Sequence, residues 1–150
     1  MAAAQPRTVP RSVNVIVRAV LRSPAHRLMS RNTMLLSFSG RRTGTAYTLP
    51  VSYCRDGENL TCFTDGTWWK NLRDPAPVRM VVAGRRLTGV GEVVTQDHQS
   101  AVDALRTFLH RTPRDAKYHG VRTGADGEYL RADLERAARA ATMVRIRPAP

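Results

Sequence analysis

Apolar residues recur along the chain with two different periods, and each change of period marks a new element. From Ser12, a suitable N-cap, they fall at Val13, Ile16, Val17, Val20 and Leu21, the i, i+3, i+4, i+7, i+8 spacing of one helical face. Arg11, Asn14, Arg18 and Arg22 populate the other face, and Pro24 ends the run. Residues 1–10, rich in Pro and Ala with no period, are expected to be disordered. The period then shortens to two. Met34–Phe38 reads as a short buried strand, closed by the turn Gly40-Arg41-Arg42-Thr43-Gly44. Tyr47, Leu49, Val51 and Tyr53 alternate with Thr48, Ser52 and Cys54, as in a half-buried strand. Pro50 has no N–H to give a ladder, so it requires an edge, a bulge or a ligand-facing segment. Asp56-Gly57 turns the chain into Leu60–Thr64.

Trp68-Trp69-Lys70-Asn71-Leu72 predicts a short helix stopped by Pro75. Val78–Val82, the turn Ala83-Gly84-Arg85 and Leu87–Val94 form another hairpin, in which Gly89 and Gly91 suggest a kink or bulge. After Thr95 the helical period returns. Ala101, Val102, Leu105, Phe108 and Leu109 share one face, with Asp97 as N-cap. Pro113-Arg114-Asp115 opens a second short helix through Tyr118, and Leu130, Leu134, Ala137, Ala138 and Ala141 line a third. Met143–Ile146 is a final strand before Pro148. Short strands joined by turns, with flanking helices, predict an α+β domain built on a small antiparallel β-barrel of about six strands. It would have an N-terminal helix and two to three helices before the last strand, with residues 11–150 as a single domain.

Charge changes the picture most. The chain of 150 residues carries a net charge of +12. Residues 1–55 hold Arg7, Arg11, Arg18, Arg22, Arg27, Arg31, Arg41, Arg42 and Arg55 and no acid. That asymmetry points to an anionic partner: nucleic acid, a membrane surface or an acidic small molecule. No helix-turn-helix, zinc spacing or aromatic-basic sheet pattern accompanies it, which argues against specific nucleic-acid binding. The arginine-flanked stripe over residues 12–22 leaves peripheral membrane contact open. No apolar run approaches the roughly 18 residues that cross a bilayer, and no signal-peptide pattern is visible, so a cytoplasmic protein is expected. Cys54 and Cys62 are too few for a disulfide scaffold or a four-ligand metal site. They flank the Asp56-Gly57 turn, close enough to meet across two strands, and read as buried thiols in a reducing compartment.

Catalytic signatures are sparse. There is no Gly-x-Ser-x-Gly elbow, His-Glu-x-x-His or P-loop, and His26, His98, His110 and His119 show no ligand spacing. No metal is expected, and any reactive group is borrowed from a cofactor. Ser39-Gly40-Arg41-Arg42-Thr43-Gly44-Thr45 is the strongest local signal. Its glycines permit a tight turn with exposed N–H groups, two arginines add fixed cationic forks, and Thr43 and Thr45 add hydroxyls, a combination suited to phosphate or carboxylate. In Trp68-Trp69, adjacent indoles cannot share one helix face, so one is core and the other borders a groove.

Met34–Val51, MLLSFSGRRTGTAYTLPV, the Asp56-Gly57 hairpin and Trp68-Trp69-Lys70-Asn71-Leu72-Arg73-Asp74-Pro75 together resemble the deazaflavin-dependent nitroreductase family of split β-barrel oxidoreductases. The likeness covers about residues 26–95. It implies a split barrel that binds reduced coenzyme F420, with FMN as the alternative. It further implies hydride transfer to an unsaturated, quinone-like or nitro organic substrate. By the same resemblance Arg41, Arg42, Thr43 and Gly44 meet the cofactor's phosphate and glutamate tail. Pro50, Val51 and Ser52 run beside the ring, Thr64, Asp65, Gly66 and Trp68 border it, and Asn71 completes the set. Tyr118 is the candidate catalytic residue, a phenol facing the substrate. Two positions depart from the pattern. Tyr47 stands where many members carry Arg or Lys, and the loop from Phe63 to Trp68 is shorter than usual. A non-catalytic binder of flavin, haem or fatty acid on the same fold, as monomer or homodimer, is the alternative reading.

Overall fold

Residues 32–150 are described by a computed structural model of the chain. The expected disorder of residues 1–10 and the expected helix over 12–22 lie outside the described residues. Seven strands form one antiparallel sheet: β1 (Thr33–Ser39), β2 (Ala46–Ser52), β3 (Cys54–Asp56), β4 (Asn59–Thr64), β5 (Ala76–Val82), β6 (Arg85–Val94) and β7 (Thr142–Pro148). Their spatial order is β2-β1-β5-β6-β7-β4-β3. Two helices, α1 (His98–Arg111) and α2 (Arg131–Ala140), lie between β6 and β7 in the chain.

The sheet curls because of a single residue. β2 lies at one edge and β3 at the other, yet only Tyr53 separates them in sequence. The sequence reads residues 47–54 as one strand, and the structure corrects this. β1 begins at Thr33, opposite Ser52, so β2 runs out of partner there. The buried Tyr53 donates its N–H to the Asn32 carbonyl at 2.8 Å, and Cys54 then pairs with Thr61 of β4. The chain thus crosses from one sheet edge to the other, which rolls the sheet into a half-barrel. Pro50 sits opposite Leu35 on the edge strand β2, where its missing N–H costs nothing.

Of the kink or bulge expected at Gly89 and Gly91, the bulge is absent, since β5–β6 and β6–β7 keep unbroken registers. They are points of close approach instead. A Cβ at Gly89 would collide with the Arg147 carbonyl, and one at Gly91 would sit 3.0 Å from Leu72 Cδ1.

Two apolar layers follow from the strand alternation. Met34, Leu36 and Phe38 of β1, Leu60 and Cys62 of β4, and Val78, Met80 and Val82 of β5 fill the barrel interior. Phe63 and Met143, on the opposite face, pack under Val102, Leu105, Phe108 and Leu109 of α1 and Leu134 and Ala137 of α2. Asp97 caps α1 as expected, accepting the Ser100 N–H at 2.9 Å. The two thiols are free and fall in different layers, Cys62 inside the barrel and Cys54 under the helices. Complete burial pushes the Cys62 thiol up to about 12, an unreactive state.

Candidate functional site

The basic turn follows β1. Gly40 donates its N–H to the Thr45 carbonyl at 2.7 Å, and Gly44, at φ +69°, donates to the Gly40 carbonyl at 2.9 Å. Arg41 donates its N–H to Asn71 Oδ1 at 2.9 Å, and Thr45 donates to Thr43 Oγ1 at 3.3 Å. The sequence suggests a nest of free N–H groups here, and the structure narrows it: those of Gly40, Gly44 and Thr45 close the turn and that of Arg41 goes to Asn71, which leaves those of Arg42 and Thr43. The turn offers an anion these two N–H groups and its side chains, since Arg41, Arg42 and Thr43 are exposed.

Asn71 belongs to a short 3-10 turn, Trp68–Leu72. Leu72 anchors it fully buried in the barrel. Asn71 Nδ2 donates to the Trp68 carbonyl at 3.0 Å, so one amide joins both turns. Trp68 stacks on Phe38 at 5.8 Å between ring centroids, and Phe38 stacks on Tyr47 at 5.7 Å. Tyr47, which replaces the expected base, therefore extends an aromatic ladder beneath the basic turn. Arg73 lies over Trp69, 5.2 Å from its centroid. Both indoles are half-buried against the barrel core, so neither is the fully buried one the sequence suggests, and Trp68 also borders a cavity.

That cavity measures about 190 Å³. Pro50, Val51 and Ser52 form one wall, where the end of β2 comes beside β4. Thr64 and Asp65 follow from the end of β4, and Trp68 closes a side. Tyr118 lies across from them on the segment after α1, 70% exposed, with Lys117 Nζ 5.0 Å from its ring centroid. Seven of the residues singled out from sequence thus meet at one place. Gly66 lies just outside, donating its N–H to Thr64 Oγ1 at 3.0 Å, and Arg41, Arg42, Thr43, Gly44 and Asn71 lie beyond Trp68.

Three lining residues escape the sequence reading: Phe63, Asp115 and His119. Ser52 Oγ donates to Asp115 Oδ1 at 3.2 Å, which pins the segment after α1 to β2. Nothing local in the sequence marks this contact, because it joins residues 63 apart. Larger grooves exist. One of about 810 Å³ runs over the end of β1, β5, β6 and the end of β7, but none of the site residues expected from the sequence lines it.

No family model and no curated protein matches the chain in sequence. Solved structures do match in shape. A conserved hypothetical protein of Mycobacterium tuberculosis superposes with a TM-score of 0.56 at 17% identity, covering 85% of this chain and 81% of that one. An F420-H2-dependent reductase gives 0.53 at 11% identity, covering 77% and 94%. A putative 5-nitroimidazole antibiotic resistance protein of Bacteroides thetaiotaomicron gives 0.50 at 9% identity, covering 84% and 78%. The chain has the split β-barrel fold. At these identities the likeness is one of fold. Among the described residues, no helix is long and apolar enough to cross a membrane, and no three His, Cys, Asp or Glu side chains form a metal-binding group.

Proposed function

We propose that this split-barrel protein binds reduced coenzyme F420 and passes its hydride to an unsaturated, quinone-like or nitro organic acceptor. The observation that carries this reading is convergence. Pro50, Val51, Ser52, Thr64, Asp65, Trp68 and Tyr118, drawn from four separate segments, line one concavity, and the arginine turn is tied to its rim through Asn71.

The residues suit one edge of the group and its anionic tail. At about 190 Å³ the cavity is below the roughly 300–1,000 Å³ of sites that enclose a whole drug-sized ligand. It suits a flat ring edge alone, so a long tail has to lie outside, on the side where Arg41 and Arg42 are exposed. Their guanidinium forks match phosphate and carboxylate oxygens. The indole of Trp68 gives the ring a flat apolar wall, held by its stack on Phe38, which stacks in turn on Tyr47.

The deazaflavin supplies the hydride when bound. The chain's own contribution is placement and charge stabilisation. Tyr118 Oη donates a hydrogen bond to the acceptor's carbonyl or nitro oxygen, where negative charge develops as hydride arrives, and then gives up its proton there. The test is to mix protein, reduced F420 and an acceptor from each class, a quinone, an enone and a nitroarene, and follow reoxidation of the cofactor by absorbance. The expected result is reoxidation well above the protein-free rate with at least one class. A rate equal to the protein-free rate with all three would refute turnover.

A further inference from the structure

The chain is strongly basic, but its cavity is not. Net charge is +12 with only 12 acidic residues, and two of those, Asp65 and Asp115, line this small space. No Arg or Lys lines it, and His119 is its one basic side chain. The segment 113–120 sorts the charges. Asp115, Tyr118 and His119 lie on the cavity, whereas Arg114 and Lys117 line a separate groove of about 580 Å³ that they share with Arg122. The two carboxylates are not equivalent. Asp65 is exposed and screened by water, while Asp115 is half-buried and fixed by the Ser52 hydroxyl at 3.2 Å. One hydrogen bond leaves the Asp115 carboxylate with unused acceptor sites.

We propose that Asp115 determines acceptor specificity: it admits neutral and cationic molecules to the cavity and turns anionic ones away. This rests on the proposed function, with the ring edge against Pro50, Val51 and Trp68 and the acceptor entering from the side of Asp115, Tyr118 and His119. A carboxylate or sulfonate on an incoming molecule would meet a fixed like charge that no Arg or Lys bonds, Lys117 being turned over the outer Tyr118 ring at 5.0 Å, and such juxtapositions are unfavourable. A cation or an N–H donor would instead gain a charge-assisted hydrogen bond. The consequence runs against bulk charge. The protein's overall field draws anions toward its surface, and Asp115 keeps them out of the reacting space.

The test uses three nitroarenes of one shape and different charge: 4-nitrobenzyl alcohol, 4-nitrobenzoate and (4-nitrobenzyl)trimethylammonium. Binding of each to wild-type protein, Asp115→Asn and Ser52→Ala is measured by equilibrium dialysis, and F420 is titrated against the same samples. In the wild type, 4-nitrobenzoate should bind about tenfold or more weakly than the alcohol. Asp115→Asn, isosteric and able to keep the Ser52 contact, should bring the two within about threefold and weaken the ammonium compound. Ser52→Ala keeps the carboxylate but removes the bond that fixes it, and should leave the discrimination between the wild-type and Asp115→Asn values. The proposal is overturned by equal wild-type binding of benzoate and alcohol, by a ratio that Asp115→Asn leaves unchanged, or by saturable binding of none of the three. F420 binding without charge discrimination sinks this inference alone. Discrimination without F420 binding sinks the cofactor reading alone.

Discussion

The Arg41 N–H and the Trp68 carbonyl are held by the same side chain, the amide of Asn71, at 2.9 and 3.0 Å. Through it the basic turn and the tryptophan turn, 30 residues apart at this contact, become one unit. Asn71→Ala deletes both hydrogen bonds, each worth about 0.5–1.5 kcal/mol. It should lower stability by about 1–2 kcal/mol in urea unfolding and weaken F420 binding several-fold. Asn71→Asp keeps the acceptor and loses the donor, and should fall between. Wild-type stability and affinity in Asn71→Ala would show that the two turns are placed independently.

Tyr118→Phe removes one hydroxyl from a residue that is 70% exposed, so folding should not change. If the phenol stabilises charge on the acceptor oxygen, kcat should fall about ten- to a hundredfold. The affinity for F420 should stay within a factor of two or so, because the lost group faces the acceptor. Unaltered kcat with several acceptors would remove Tyr118 from the chemistry.

The glycines of β6 are constrained by space, not by dihedral angle. Gly89→Ala drives a methyl into the Arg147 carbonyl, part of the ladder between β6 and β7, and Gly91→Ala presses on Leu72 and Val78. Gly89→Ala should cost more, at or above the roughly 1–3 kcal/mol typical of overpacking, because backbone cannot yield as a side chain can. Gly57→Ala, at φ +60° in open space, should cost only about 1–2 kcal/mol of backbone strain. Chemical denaturation of the three variants gives the order directly. A Gly57→Ala loss larger than that of Gly89→Ala would contradict the packing argument.

Asp133 is buried beneath two arginines. Arg122 reaches its carboxylate through both its side chain and its backbone N–H, and Arg136 adds a bond at 3.0 Å. These contacts, Arg122 first, hold the Asp133 carboxyl well below the usual carboxylate range. A depressed folded-state value means that the carboxylate stabilises the fold above its unfolded value of about 3.9 and loses that effect as pH falls further. Asp133→Asn should therefore lower the thermal midpoint at pH 7, and the gap to wild type should narrow as pH drops from about 5 toward 2. Melting curves over that range check it. A gap that widens on acidification would reverse the sign of the argument.

Much of this architecture is legible in residue order, and what is missed has a common cause. The two-residue period of Met34, Leu36 and Phe38 and the helical spacing of Val102, Leu105 and Phe108 each report burial on one face, which is local information. Asp97 as a cap follows from single-residue chemistry, as does the restriction of Pro50 to an edge, a bulge or a ligand-facing segment. The break at Tyr53 does not, since it depends on where β1 starts, twenty residues earlier. Gly89 and Gly91 look like a bulge because their contacts, Arg147 and Leu72, are remote in sequence. Within the site, Pro50–Ser52, Thr64, Asp65 and Trp68 come from motifs that can be read in order. Asp115 and His119 are brought in by the return of the chain after α1. Of the N–H groups expected to be free at Gly40–Gly44, those of Gly40, Arg41 and Gly44 are taken by hydrogen bonds that only the folded turn makes.

The central claim is that the cavity and its arginine rim receive F420. The direct measurement is a titration of F420 into the protein followed by quenching of its two tryptophans, Trp68 and Trp69, with FMN as the comparison. F420 should quench saturably with a dissociation constant of about a micromolar, near −8 kcal/mol, and FMN should bind more weakly. Arg42→Ala should weaken F420 by roughly ten- to a hundredfold, more than Arg41→Ala does, and should do so at high salt as well, where only direct contacts survive screening. Absence of saturable quenching by F420 in the wild-type protein, or undiminished affinity in both arginine variants at every salt concentration, would contradict the account.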